Sequence, residues 1–262
     1  MLHVKDLSFS IKNKKILKSI TFSANQGEVR VFVGPNGAGK TTLLKTIANI
    51  YKKNSGEVTL DSNNIGLLKP KKLSQIISYM PQFSEVPDIT VLEVLELGRY
   101  TYCGAKIKQA DRKIINSIIK SFSLQSILNK NITTLSGGQR QKVLLASSLA
   151  QEPKVLILDE PISHLDPKNQ LDVLRVIKKF TKEHNIITLI VLHDIQHALH
   201  YGDKLLMMKD GQIIHNINSK DIKEQHLNEV FEVNAKLFRE ENHTFVYYQH
   251  SHLNVKEQQH KH

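Results

Sequence analysis

The sequence predicts an α/β fold in which a central sheet is interrupted by a helical insertion. Residues 155–158 and 186–192 are continuous runs rich in β-branched residues and leucine, which are typical of parallel strands covered on both faces. Residues 91–150 instead carry apolar residues at helical spacing. At 262 residues, the chain can form one large domain that contains an inserted subdomain.

The other elements follow from local patterns and from turn residues. The predicted strands cover residues 2–11, 16–23, 28–33, 57–60, 76–80, 155–158, 186–192 and 245–248. The predicted helices outside the insertion cover residues 41–50 and 222–231.

The chain is basic, with 36 Lys and Arg residues against 25 Asp and Glu residues and a formal net charge of +11. Such a surface suits anionic partners, which include nucleotides, lipid headgroups and nucleic acid. The lysines come in short clusters, without a long basic arm that contains aromatic residues, so a nucleic-acid partner is not expected. The single cysteine, Cys103, excludes an intramolecular disulfide and suits a reducing compartment.

The N-terminus has no basic segment followed by an apolar stretch, which argues against a secretory signal. The strongest apolar run, residues 186–192, is far shorter than the roughly 20 residues that a membrane-spanning helix needs. We therefore expect a cytoplasmic protein, which would lie at a membrane only if a partner binds it there.

A glycine-rich motif follows the predicted strand 28–33. It fills every fixed position of the pattern Gly, four residues, Gly-Lys-[Ser/Thr], and its residues are Gly34, Pro35, Asn36, Gly37, Ala38, Gly39, Lys40, Thr41 and Thr42. Glycines let successive backbone N–H groups point at one anion, and the helix that follows adds its positive dipole end. Lys40 can reach the terminal phosphates, and the Thr41 hydroxyl can bind Mg²⁺. The motif predicts a P-loop NTPase core, and without an internal repeat there is one such unit per chain.

Two adjacent carboxylates end the apolar run 155–158. Asp159 and Glu160 would face the phosphate loop at the carboxyl end of a parallel sheet. Asp159 is predicted to hold Mg²⁺, directly or through water, and Glu160 to polarise the attacking water.

A second glycine-rich segment, Leu135-Ser136-Gly137-Gly138-Gln139, precedes helical sequence. Ser136 is a good helix cap, and the two glycines expose N–H groups at a helix start, which makes another cradle for an anion. Two interpretations stay open from these residues. Either the chain binds a second anion, or this cradle closes over the nucleotide held by another copy, which implies a dimer with nucleotides at its interface.

The order of these motifs resembles the ATP-binding subunit of an ABC transporter over about residues 1–220, and residues 135–139 reproduce the signature of that family. The resemblance implies a mixed sheet, a small antiparallel β subdomain and an inserted α-helical subdomain. The implied ATPase domain covers residues 1–220, with a core of 1–84 and 155–220, a helical insert over about 85–154, and a C-terminal extension over 221–262. ATP and Mg²⁺ are the implied cofactors.

The resemblance also assigns roles to single residues. It implies a homodimer in which each ATP is bound in trans by Ser136, Gly137, Gly138, Gln139 and Asp166 of the other chain. Gln82 would join the core to the insert and sense Mg²⁺ and the attacking water, and His193 would contact the γ-phosphate. Ile11 takes the place of the aromatic residue that stacks on adenine in the family. We therefore expect apolar contact with the base, and weaker base discrimination or affinity.

Residues 97–100, 137–146 and 193–198 resemble the importer group for ferric siderophores, haem and cobalamin. The chain would then work at the cytoplasmic face of the membrane with separate permease subunits, whose coupling helix would bind residues 83–104, and indirectly with a substrate-binding protein. A ferric siderophore is the preferred cargo, and haem or cobalamin are the alternatives. The rival from another class is a soluble ABC-type ATPase without a transport role. Such proteins usually carry two cassettes or long coiled-coil insertions, and neither is present.

The end of the chain is polar and rich in histidine. Its histidines are His243, His250, His252, His260 and His262. Their irregular spacing, in a segment with little to bury, favours a flexible terminus over a metal site.

Overall fold

The central sheet has six strands, and the continuous apolar runs lie in its parallel interior as predicted. In order across the sheet the strands are β10 (Gln212–Asn218), β9 (Lys204–Lys209), β3 (Val29–Val33), β8 (Ile187–Val191), β7 (Val155–Asp159) and β6 (Ile77–Met80). All neighbouring pairs are parallel except β10 and β9. Alternate residues enter different cores, with Leu156 and Leu158 on one face of β7 and Val155 and Ile157 on the other.

A smaller antiparallel sheet covers one face of the central sheet and confirms the predicted β subdomain. Its strands, in order, are β2 (Lys14–Ala24), β1 (Leu2–Ile11), β4 (Ser55–Leu60) and β5 (Asn63–Asn64). Helix α1 (Lys40–Ile47) follows the phosphate loop, and its Leu43 and Leu44 are buried in the core that the two sheets share. The predicted helix 41–50 is therefore too long at its C-terminal end, where Asn49 has a left-handed φ of 57°.

Helices occupy the chain between β6 and β7, as the spacing of apolar residues predicts. They are α3 (Val91–Leu97), α4 (Tyr100–Cys103), α5 (Gln109–Phe122) and α6 (Gly137–Ala150), and a short helix, α2 (Pro70–Leu73), comes before β6. Helix α6 packs against α3 and α5. At Gly98 the approach is close, because an added Cβ would lie 2.3 Å from the backbone oxygen of Ser147. Short 3₁₀ turns cover Ile65–Leu67, Gln125–Ile127, Ile132–Thr134 and Ser219–Asp221.

Among the described residues that follow β7 there are three helices and a separate hairpin. The helices are α7 (Pro167–Glu183), α8 (Ile195–Tyr201) and α9 (Glu224–Phe231), and the hairpin pairs β11 (Asn234–Glu240) with β12 (His243–Gln249). The sequence predicts only the second of these strands, because β11 has a weak alternation in which Ala235 is buried and its neighbours are exposed.

The computed structural model describes residues 1–82, 86–104, 106–241 and 243–249. The predicted permease-binding segment, residues 83–104, therefore lies in part outside the described residues, at Phe83, Ser84 and Glu85, as do His250, His252, His260 and His262 of the polar tail. Within the described ranges, every helix is too short or too polar to cross a membrane.

Candidate nucleotide site

The phosphate loop joins β3 to α1, and its backbone needs glycine at defined positions. Gly37 and Gly39 have left-handed φ angles of 82° and 95°, which glycine adopts without strain. Gly34 cannot carry a side chain, because an added Cβ would lie 2.0 Å from the backbone oxygen of Met208. The start of α1 therefore directs N–H groups and its positive dipole end into the loop, where an anion is favoured.

Lys40 lies folded over the phosphate loop. Its Nζ donates hydrogen bonds to the backbone oxygens of Gly34 at 2.7 Å and Pro35 at 2.9 Å. Burial lowers the pKa of Lys40, although the charges of Glu160 and Asp159 act in the opposite direction. A phosphate oxygen would give this desolvated ammonium a charged acceptor in place of two neutral carbonyls.

Asp159 ends β7 directly beside the phosphate loop, and two hydroxyl groups hold its carboxylate. The Thr41 hydroxyl donates to Oδ1 at 2.9 Å, and the Tyr79 hydroxyl donates to Oδ2 at 3.1 Å. Burial raises the pKa of Asp159, while the hydrogen bonds from Thr41 and Tyr79 lower it. These hydroxyl and carboxylate oxygens are the kind of ligand that Mg²⁺ prefers.

Glu160 stands at the centre of the candidate site. Its φ of 52° is left-handed, an uncommon conformation for a residue with a side chain and one that often marks functional sites. Gln82 Nε2 donates to its Oε2 at 2.5 Å, and His193 Nε2 lies 2.5 Å from its Oε1. The Glu160 side chain is 11% exposed, whereas that of His193 is 48% exposed, so the histidine lies at the open side of the site.

An open pocket of about 190 Å³ lies at the phosphate loop. Its lining consists of Ile16, Asn36, Gly37, Gly39, Lys40, Thr41, Thr42, Glu160 and His193. The sequence analysis predicts Ile11 as the contact for the base, but Ile11 is 51% exposed at the end of β1, and Ile16 lies at the pocket instead. A role of Ile11 toward the base stays a prediction.

The second glycine-rich segment starts α6 with reciprocal capping. Ser136 Oγ accepts from the Gln139 N–H at 3.3 Å, and Gln139 Oε1 accepts from the Ser136 N–H at 3.3 Å. An added Cβ at Gly138 would lie 2.7 Å from the side chain of Asn169, whose amide donates to Asp166 at 2.5 Å. The fold therefore brings the segment close to Asp166 through a residue that the sequence analysis does not single out.

The two glycine-rich segments belong to different pockets of one chain. Gly137 lines a pocket of about 250 Å³ together with Gln82 and the segment 163–165, apart from the pocket at the phosphate loop. Asp166 is exposed and begins α7, where its carboxylate accepts from the Asn169 N–H at 3.0 Å. Hydrogen bonds from Asn169 hold the pKa of Asp166 below its usual value.

Sequence reasoning misses two residues that contact the site. Tyr79 lies in a strand that the sequence predicts, and buried tyrosine hydroxyls usually have a hydrogen-bond partner. Its hydroxyl could therefore have been predicted to bond to a polar group near the end of a neighbouring strand. Ile16 carried no such signal, because it comes close to the loop only in the folded chain, where a Cβ added at Gly39 would lie 3.2 Å from its backbone oxygen. In the described part of the chain, no group of three or more His, Cys, Asp and Glu residues is placed to hold a metal.

Comparison with known proteins adds independent findings. The family model described as ABC transporter matches residues 17–163. The chain is 30% identical over 240 residues to an iron(3+)-hydroxamate import ATP-binding protein of Bacillus subtilis, which covers 90% of this chain and 89% of the relative. It is 35% identical over 245 residues to a tyrosine transport ATP-binding protein of Clostridioides difficile, with 88% and 98% covered.

The fold is also similar to solved structures. One is a dimeric ATP-binding cassette in a post-hydrolysis state bound to ADP and Pi, which is 28% identical and has a TM-score of 0.73. The similarity covers 85% of this chain and 100% of that chain. Cassettes of this kind dimerise and act with membrane permease components. With the phosphate loop, the signature segment and the matching family model, the chain belongs to the ABC transporter family, as one of its ATP-hydrolysing subunits.

Proposed function

We propose that two copies of this chain bind two ATP molecules between them and drive import of a ferric siderophore through separate permease subunits. The dimer is inferred from the separation of the two anion cradles within one chain. Residues 34–42 line one pocket, and the signature segment lines another. A second copy would bring its own Ser136, Gly137, Gly138, Gln139 and Asp166 to the first chain's nucleotide.

Within each site, different residues bind the phosphates and activate the attacking water. The phosphate loop holds the phosphates, and Lys40 exchanges its two carbonyl partners for phosphate oxygens. Glu160 is the general base, since its carboxylate is held between Gln82 and His193 and can accept a proton from water. His193, at the exposed side of this pair, would contact the γ-phosphate.

Mg²⁺ fits the oxygen donors beside the phosphate loop. Thr41 and Asp159 would hold the ion, and Gln82 would contact its shell. When bound, the ion neutralises charge on the β- and γ-phosphates. Asp159 is well suited to this role because its buried carboxylate carries a raised pKa, and a cation there stabilises its charged form.

Replacement of Glu160 tests the catalytic proposal. Glu160→Gln keeps the shape of the side chain but removes the general base, so ATP turnover should fall about a hundredfold or more while ATP binding persists. With ATP and Mg²⁺, the variant should then accumulate as a dimer in size-exclusion chromatography. The control is Glu183→Gln, on the exposed surface of α7, which should turn over ATP like the wild type. Full turnover by Glu160→Gln would refute the assignment.

The cargo needs a test of its own, because the relatives differ in the cargo that their names give. One is an iron(3+)-hydroxamate importer and another is a tyrosine transporter. A strain that lacks this chain should lose uptake of radiolabelled ferric siderophore and recover it with the wild-type chain but not with Glu160→Gln. Loss of haem, cobalamin or tyrosine uptake instead would keep the ATPase role and refute the siderophore.

A further inference from the structure

Helix α8 almost directly follows His193, the residue proposed to contact the γ-phosphate. His193 is separated from Ile195, the first residue of the helix, only by Asp194. The Asp194 carboxylate caps the helix, since its Oδ1 accepts from the N–H groups of Gln196 at 2.6 Å and His197 at 3.4 Å. Because this cap joins His193 to the first turn of α8, a displacement of the helix displaces the histidine.

The C-terminal hairpin is hydrogen-bonded to α8 through the side chain of Gln196. Gln196 Nε2 donates to the backbone oxygen of Thr244 at 2.7 Å, and its Oε1 accepts from the backbone N–H of Val246 at 3.2 Å. The amide thus pairs with the free edge of β12 as a neighbouring strand would. His243 of the hairpin also stacks on His200 of α8, with the ring centres 5.2 Å apart.

The hairpin is a firm support because its other edge is held as well. A two-stranded ribbon is marginally stable alone. Here Asn228 accepts from the N–H of Ala235 at 2.7 Å, and Glu224 accepts from the N–H of Leu237 at 3.0 Å. Both acceptors belong to α9, so the hairpin connects α9 to α8.

Helix α8 is also linked to the loop that follows Glu160, through Gln170 of α7. His197 Nε2 lies 3.0 Å from Gln170 Oε1, and Gln170 Nε2 donates to the backbone oxygen of Leu165 at 3.0 Å. Because the amide nitrogen of Gln170 donates to a carbonyl, its oxygen is the acceptor, and His197 carries its proton on Nε2. The loop therefore has a hydrogen-bonded connection to α8.

Together these contacts form a closed ring of residues that includes the catalytic pair, Glu160 and His193. One path leads from Glu160 through the loop 161–165 to Gln170 and His197, and then back along α8 to His193. The ring closes at the 2.5 Å contact between His193 and Glu160. From this geometry we infer that Gln196, His197 and Gln170 are positioning residues for ATP hydrolysis, and that the C-terminal hairpin serves the active site as its support. The inference rests on the roles proposed above for Glu160 and His193.

Gln196→Ala tests the support, because it removes both hydrogen bonds to the hairpin and leaves the phosphate loop intact. A displacement of catalytic groups by a fraction of an ångström to 1 Å lowers rates by factors of about 10 to 100. We expect kcat to fall about tenfold, with the KM for ATP and the ATP affinity unchanged. The matched control is Gln212→Ala, at the exposed start of β10, which should keep the wild-type kcat. A wild-type kcat in Gln196→Ala would overturn the inference.

Gln170→Leu tests the link between α8 and the loop that follows Glu160. It removes the hydrogen bonds to His197 and Leu165 while keeping a side chain of similar bulk, and kcat should again fall without a change in KM. Thermal unfolding and ATP titration show whether each variant is folded. A folded Gln170→Leu variant with the wild-type kcat would contradict the ring.

A double-mutant cycle separates positioning from a general structural effect. If Gln196 acts through the histidine, Gln196→Ala should lower kcat little further in a His193→Ala background. A full, additive tenfold loss in that background would overturn the inference. Failure of this inference can be told apart from failure of the proposed function, which Glu160→Gln tests. If Glu160→Gln loses ATP turnover but Gln196→Ala keeps it, only the supporting role of the hairpin is refuted.

Discussion

The hydroxyl of Tyr79 supports a buried carboxylate, and its removal tests how the nucleotide site is built. Asp159 is 1% exposed, and Tyr79 supplies one of its two hydroxyl donors at a distance of 3.1 Å. A buried acceptor that loses a donor costs about 1–3 kcal/mol. Tyr79→Phe should therefore lower the free energy of unfolding of the nucleotide-free protein by about that amount, or its Tm by about 2–10 °C.

The assay is thermal and urea unfolding at several pH values, with Tyr100→Phe as the control. Tyr100 is 59% exposed, so its hydroxyl should contribute within about 0.5 kcal/mol. Burial raises the pKa of Asp159 above its ordinary value of about 3.8, so the native state takes up a proton before the unfolded chain as pH falls. Once Asp159 is protonated, the donor matters less, and the deficit of Tyr79→Phe should shrink between pH 7 and pH 4. A deficit equal to that of Tyr100→Phe, or one that grows on acidification, would refute the reasoning.

Two further predictions concern stability. Arg99→Met should lower the free energy of unfolding by about 3 kcal/mol, because it leaves Asp111 without the guanidinium that now lies 3.0 Å away. The control, Lys142→Met, breaks a more exposed ion pair and should cost about 1 kcal/mol or less in the same thermal assay. Equal losses in the two variants would contradict the argument. Burial, and then the charge of His243, lower the pKa of His200 below its ordinary 6.5, so the unfolded chain binds the proton more tightly and stability should fall as pH drops below about 6.5. His200→Asn should reduce this loss in unfolding measured from pH 7 to pH 5, and an unchanged pH slope would contradict it.

The fold class was open to prediction from sequence because its signals are local. The run 155–158 is apolar at every position, and the structure buries alternate residues of β7 in two cores. Strand β11 was not predicted, because the contacts that hold it come from residues outside the strand. Its backbone is held by the side chains of Glu224 and Asn228, and contacts of that kind leave no periodic pattern in the strand itself.

The phosphate loop, the carboxylate pair at Asp159 and Glu160, and the signature segment at residues 135–139 were determined by the sequence alone. Each is a short stretch whose chemistry depends on adjacent residues, so spacing is enough to recognise it. Gln82 and His193 were predicted as site residues only through resemblance, because a single polar residue carries no pattern of its own.

Tertiary structure decided how these pieces meet. Residues far apart in the chain, Gln82 and His193, lie 2.5 Å from opposite oxygens of Glu160, and Tyr79 reaches Asp159 from the neighbouring strand. Only the sheet order and the packing of α8 bring about these contacts, since hydrogen bonds between distant segments depend on distances that the sequence does not encode locally. The same reason hid the support that the C-terminal hairpin gives to α8 through Gln196.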